Sequence, residues 1–143
     1  MNYQKTRNTA ETKLEITLSD DNAPSNIKTG VGFLDHMLTL FSFHSKLTLN
    51  IEANGDIEVD DHHVTEDIGI VLGQLLLEMV KDKTTFQRYA ASYVPMDETL
   101  ARTVIDISGR PYLSFNATLS KEKVGTFDTE LVEEFFRAFV INA

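Results

Sequence analysis

Two adjacent histidines, His62 and His63, precede a carboxylate in DDHHVTED, residues 60–67. On a helix, His62 and Glu66 are four residues apart and His63 and Glu66 three, so Glu66 neighbours both. At ~3.6 residues per turn the two histidines point roughly 100° apart. They do not easily share one ion, but each can take a different one, with Glu66 completing either shell. Imidazole and carboxylate donors suit Mn, Fe, Zn or Ni. The spacing differs from HExxH, where the ligands are four apart and the glutamate is the base. The plain alternative is an acidic, exposed helix start carrying two solvated histidines.

Other residues could serve the same chemistry. His36 and His44 lie eight apart on an earlier helix, ~12 Å along its axis at ~1.5 Å per residue. They cannot hold one metal together, but one can bind metal while the other meets the far end of a ligand. Each alone is also well read as a hydrogen-bonded helix histidine. Arg88 and Arg110 are candidate anion binders. Arg110 sits in SGRP, a turn after a strand, where a guanidinium can grip phosphate with two hydrogen bonds. Each alone is more often a surface arginine. Asp97 and Glu98 are more often turn residues than catalytic acids, and Glu11 carries no special signal by itself.

The whole chain limits what these residues can belong to. Its 143 residues suffice for one domain with a real core. An apolar content of 42% and a charged content of 24% are those of a globular protein. No apolar run is long enough to span a bilayer, and there is no basic-then-apolar leader, so a cytoplasmic protein with no membrane partner is expected. With no cysteine, disulfides, thiolate metal sites and thiol nucleophiles are excluded, and any metal rests on imidazole and carboxylate. A formal charge of −9 argues against nucleic acid as the main partner, though not against a small anion at a local basic site.

The positioning elements are legible from periodicity. Lys13 to Ser19 alternates as a half-buried strand, and a loop follows over Asp20 to Asn26. Phe33 to His44 reads as a helix with apolar residues at 34, 37, 38 and 41. Lys46 to Ala53 and Asp56 to Val59 alternate about Asn54-Gly55, which predicts a hairpin. A long helix starts near His62, with Asp60 or Asp61 as N-cap and Ile68, Val71, Leu72, Leu75, Leu76 and Met79 facing the core. Strands are expected at about Ala101 to Ile107 and Tyr112 to Leu119. A last helix, about Asp128 to Val140, is expected to bury Leu131, Val132, Phe135, Phe136 and Phe139. This order predicts an α/β (α+β) sandwich. FLDHMLTLFSF and LVEEFFRAFVI share a pattern at an offset of 98 that sets His36 against Glu134, as an internal duplication would.

TGVGFLDHMLTLFSFH, DDHHVTEDIGIVLGQ, RYAASYVPMDETLAR, DISGRPYLSFN and FDTELVEEFFRAF together closely resemble the imidazoleglycerol-phosphate dehydratases, nearly end to end. The resemblance implies a tandem duplication of a half-domain of sheet packed on helices. Residues 1–90 would be the first repeat, with HHxxE, and 91–143 the start of a second, incomplete here. It implies a homo-oligomer of cubic symmetry, a 24-mer of trimers, with active sites between subunits and two Mn²⁺ ions in each. His36, His62, His63, Glu66 and Glu134 match metal positions, and some relatives carry histidine at the last. Glu11, His36 to His44 and His62 to Glu66 match substrate positions, and Arg88 and Arg110 match phosphate positions. The family has a second HHxxE-type motif beyond the point that Ala143 matches. A shortened chain, or the leading part of a longer one, is therefore expected rather than a natural half-enzyme.

The reaction so implied is dehydration of imidazole glycerol phosphate to imidazole acetol phosphate, in histidine biosynthesis. Its proton is not acidic and its hydroxide leaves poorly. Metal on each ring nitrogen would stabilise an imidazolate that pushes the hydroxyl out. Glu11 is a candidate general acid or base, the glutamate of the family's second motif is a stronger one, and Glu66 is also at the reacting centre. Two rivals use similar residues: a dinuclear metallohydrolase of phosphate esters, which would release phosphate, and a non-catalytic protein whose subunits are stapled by metal.

Overall fold

The computed structural model describes all 143 residues. Strands β1 (Asn2–Asn8), β2 (Thr12–Ser19), β3 (Asn26–Lys28) and β4 (Thr48–Gly55) form one sheet in the order β1-β2-β4-β3. β3 runs parallel to β4, and the other neighbours are antiparallel. Helices α1 (Gly32–Ser45) and α2 (His62–Lys81) pack on this sheet. Alternation decides which side is covered. Leu14, Ile16 and Leu18 of β2 and Leu49, Ile51 and Ala53 of β4 are buried, while Glu15 and Glu52 between them stay exposed. Val64, Ile68, Val71, Leu72, Leu75 and Met79 of α2 close the same cluster, joined by Leu34 and Leu38 of α1. Two ion pairs tie α2 to β1: Lys5 with Glu78, and Arg7 with the largely buried Asp67 at 2.8 Å.

The second part repeats the first. Strands β5 (Tyr89–Met96) and β6 (Thr99–Asp106) form a hairpin whose register matches β1–β2 at an offset of 87. Asn2 pairs with Ser19 as Tyr89 pairs with Asp106, and Asn8 with Lys13 as Pro95 with Leu100. A short hairpin of β7 (Lys123–Val124) and β8 (Phe127–Asp128) then leads into α3 (Leu131–Asn142). A hairpin of the same register thus precedes each of α1 and α3, with a longer connection before α3 than before α1.

α3 lies against α2 at very close range. A Cβ added to Gly69 would stand 2.8 Å from the Phe135 carbonyl oxygen, and one added to Gly73 would collide with the Phe139 carbonyl. Only a residue without a side chain lets the two backbones approach so nearly.

Four expectations need correction. The hairpin at Asn54-Gly55 does not form: β4 runs through both residues, which pair with Lys13 and Thr12 of β2. β3 takes the other edge of β4, so residues 56–59 have no strand to join and form a turn closed by Val59 N–H donating to the Asp56 carbonyl at 2.8 Å. Residues 112–119 alternate but are not a strand. Leu113 and Phe115 turn inward, with the Phe115 ring 6.5 Å from that of Phe136, yet no ladder forms. The last helix starts three residues later than its apolar pattern suggests, and Phe136 is 43% exposed because the face on α2 runs through Leu131, Phe135, Ala138 and Phe139. Leu76 of α2 is half-buried rather than core. Sequence periodicity also passed over β1, where only Tyr3 is apolar and buried, and β5.

Candidate active site at the start of helix α2

The turn after β4 delivers the chain to α2 through four acidic residues, three of which have different partners. Asp60 Oδ1 accepts the His62 backbone N–H at 2.9 Å, satisfying one open amide of the first turn. Asp61 is the N-cap residue, but its buried carboxylate points away from the helix and accepts the Thr126 hydroxyl at 2.9 Å. That bond fastens the β7–β8 turn to the head of α2. Asp56 is hydrogen-bonded to His63, with 2.8 Å between His63 Nδ1 and Asp56 Oδ2. Glu58 is exposed.

On α2 itself, His62 Nε2 and Glu66 Oε2 meet at 3.2 Å across one helical turn. The His62 and His63 rings are nearly parallel, 5.6 Å between centroids and 21° between planes, but they take different partners. Both histidines and Glu66 are open to solvent on one side. The His63 pKa is raised, first by the hydrogen bond to Asp56 and then by the charges of Asp56, Glu11 and Asp60, with partial burial opposing. Glu11, at the tip of the β1–β2 hairpin, is thus near enough for its charge to act on this histidine.

Glu134 reaches the same place from α3. His62, Asp60, Asp128, Glu130, Leu131 and Glu134 line one open cleft of about 260 Å³ between the starts of α2 and α3. A cleft walled by four carboxylates and an imidazole favours a cation. The donors fit a divalent metal: His62 Nε2 and Glu66 Oε2 lie close to the ~3 Å separation of neighbouring ligands in an octahedral shell with bonds of ~2.1 Å. No three His, Asp or Glu side chains of the chain converge as a complete set of ligands.

The remaining candidates stand elsewhere. His36 and His44 are exposed on α1, and the His44 ring is edge-on to Phe43 at 5.1 Å. Asp35 accepts both the backbone N–H (2.8 Å) and the hydroxyl (2.5 Å) of Thr29, which anchors the loop leading to His36. Arg88 and Arg110 both belong to the open end of the β5–β6 hairpin, where Arg88 pairs with Asp106. Arg88 Nε donates to Asp106 Oδ1 at 2.7 Å and Nη2 to Oδ2 at 3.3 Å, while its guanidinium lies 4.9 Å from the centre of the Tyr89 ring. The Asp106 carboxyl is held below the usual range by that hydrogen bond and by the charges of Arg88 and Arg110. Ser108 Oγ accepts the Arg110 N–H at 3.1 Å and Gly109 takes a φ of 76°, which turns the chain at Arg110.

Asp56 and Asp106 did not stand out as site residues in the sequence. Asp56 reads as a turn residue after Asn-Gly, and Asp106 as a strand end. Their pairing with His63 and Arg88 exists only through the fold.

The imidazoleglycerol-phosphate dehydratase family model matches residues 29–143. A curated imidazoleglycerol-phosphate dehydratase of a bovine strain of Staphylococcus aureus is 80% identical over all 143 residues, which cover 74% of its length. A crystal structure of that enzyme from another S. aureus strain superposes with a TM-score of 0.91 at 74% identity, covering 100% of this chain and 79% of that one. The Pyrococcus furiosus enzyme gives a TM-score of 0.81 at 33% identity over 96% of this chain and 73% of its own. Likeness at this level, across sequence and fold together, places the chain in the imidazoleglycerol-phosphate dehydratase family of histidine-biosynthesis hydro-lyases.

Proposed function

We propose that the start of α2, with the β1–β2 tip and the cleft over α3, is the metal- and imidazole-binding face of this dehydratase. The carrying observation is the convergence of His62 Nε2 and Glu66 Oε2 at 3.2 Å beside a carboxylate-walled cleft that contains Glu134. His36, His62, His63, Glu66 and Glu134 would hold two Mn²⁺ ions where copies of the chain meet, His36 coming from another copy, and the metal's Lewis acidity would act on the nitrogens of the substrate ring.

The chain's own groups divide the remaining work. Glu11, exposed at its hairpin tip with its charge acting on His63, is a candidate to move the proton of the carbon beside the departing hydroxyl. Glu66 stays at the reacting centre and holds His62 in place. Arg88 and Arg110 bind the phosphate, fixing orientation without taking part in bond breaking. Their shared end of the β5–β6 hairpin supports this, since both arginines lie close enough for their charges to act on the same carboxylate, Asp106. His44 contacts the far end of the ligand.

Assembly into a homo-oligomer belongs to the same reading. Met37, Leu40, Phe41 and Phe43 lie exposed along α1, with Phe43 at 74%, an apolar surface suited to another copy of the chain. No helix is long and apolar enough to cross a membrane, and we place the enzyme in the cytoplasm with its substrate.

The test is turnover of imidazole glycerol phosphate by the full polypeptide, after chelation and again after adding Mn²⁺. Metal-dependent acetol phosphate without inorganic phosphate supports the reading. Release of phosphate would move it to a metallohydrolase, and metal-dependent assembly without turnover would move it to a stapled structural protein.

A further inference from the structure

Asp56, in the turn before α2, is a largely buried carboxylate whose side chain meets a candidate metal ligand and satisfies none of the turn's amides. The Asp60 side chain accepts the His62 N–H, and in the β2–β3 connection Asp21 accepts the Ala23 N–H. The Asp56 side chain accepts no backbone N–H. Its Oδ2 meets His63 Nδ1 at 2.8 Å, and its Oδ1 is buried without any hydrogen-bond partner. The side chain is only 18% exposed. A carboxylate drawn out of water with one partner is costly for a turn residue, which could hold this bend as asparagine or serine.

An ionised carboxylate only accepts hydrogen bonds, so the proton of a neutral His63 must sit on Nδ1. The lone pair then lies on Nε2, across the ring from Asp56. We propose that Asp56 is a positioning residue for His63, fixing both the ring orientation and the tautomer so that Nε2 is presented bare to a divalent cation. This rests on His63 being a metal ligand, as proposed above. Carboxylates that orient a metal-binding histidine in this way typically contribute 10- to 100-fold to metal affinity.

The test uses the full chain, titrated with Mn²⁺ from the metal-free state and followed by electron paramagnetic resonance. The His63 tautomer is read from long-range ¹H–¹⁵N correlations in the same metal-free protein. Wild type should show the Nδ1-protonated form, and the Nε2-protonated form would overturn the proposal before any variant is made. Asp56→Ala should shift His63 toward Nε2-protonation and weaken Mn²⁺ binding by roughly 10- to 100-fold. Asp56→Asn keeps an acceptor oxygen and should retain the tautomer with a smaller loss. It carries the comparison if the alanine variant does not fold. In a His63→Ala background, Asp56→Ala should cost little further affinity. An equal loss in both backgrounds would overturn the proposal, because Asp56 would then act by another route. If His63→Ala alone binds Mn²⁺ like wild type while the wild-type tautomer is as predicted, the ligand assignment of His63 fails instead.

Discussion

Gly69→Ala is expected to lower stability although it replaces a poor helix former with the best one. The added Cβ would lie 2.8 Å from the Phe135 carbonyl oxygen and 3.1 Å from the Ala138 Cβ, against ~3.5–4.0 Å for relaxed carbon contacts. The nearest obstacle is backbone, so no rotamer change relieves the clash and α3 must retreat by roughly 0.5–1 Å. Overpacking of this kind costs ~1–3 kcal/mol, and an immovable obstacle puts Gly69 at the upper end. The alanine returns about 1 kcal/mol of helix propensity. A net loss of roughly 1–2 kcal/mol should lower the melting temperature by about 3–8 °C. Gly32→Ala is the matched control. It makes the same chemical change in α1, where a Cβ meets nothing within 4 Å, so its melting temperature should hold or rise. Both variants are to be melted by circular dichroism at one protein concentration, since association shifts the midpoint. If Gly69→Ala melts at or above Gly32→Ala, the close α2–α3 contact does not exist as described. Because α3 carries Glu134 to the His62 cleft, Gly69→Ala should also weaken Mn²⁺ binding.

Three further outcomes follow from the site and its charges. His62→Ala and His63→Ala should each abolish turnover and lower bound Mn²⁺ measured by metal analysis, and an unchanged rate in either would defeat that ligand assignment. Arg110→Ala should raise KM for imidazole glycerol phosphate by roughly 10- to 100-fold with a smaller change in kcat, the loss expected for a charged hydrogen bond, and an unaltered KM would remove Arg110 from the phosphate site. Asp20, Asp21 and Asp106 have lowered pKa values: Asp20 through Lys83 and the N-terminal amine, Asp21 through Thr48, Ser19 and the Ala23 amide, and Asp106 through Arg88. Their contribution is present above the ordinary aspartate range and is lost as pH falls through the depressed folded values, so denaturant stability should decline below about pH 4. Asp20→Asn should flatten that decline, and an unchanged acid slope would show that its contacts carry no stability.

How far the site was legible in the sequence varies by residue. Glu66 neighbours His62 because helical geometry places residues four apart together, whatever the rest of the chain does. The pairing of Glu134 with His36 in the repeat also needed only the offset of 98. The cleft shared by Glu134 and His62 was not legible, because it depends on Gly69 and Gly73 admitting the backbone of α3. Asn54-Gly55 misled for a similar reason. A hairpin signal is local, while the choice between a turn and a continued strand lay with β2 and β3 on the two edges of β4. Residues 112–119 show the converse: alternation predicts which side chains turn inward, but a strand also requires a partner.

The sequence by itself determined the helices, the core face of α2, the duplication and the family, because periodicity and motif spacing are properties of consecutive residues. Only the tertiary structure decided that Asp56 meets His63, that Asp61 holds Thr126, and that Arg88 pairs with Asp106. Those contacts join separate elements, and their geometry is set by sheet register and by how closely two helices can approach. No local pattern encodes either.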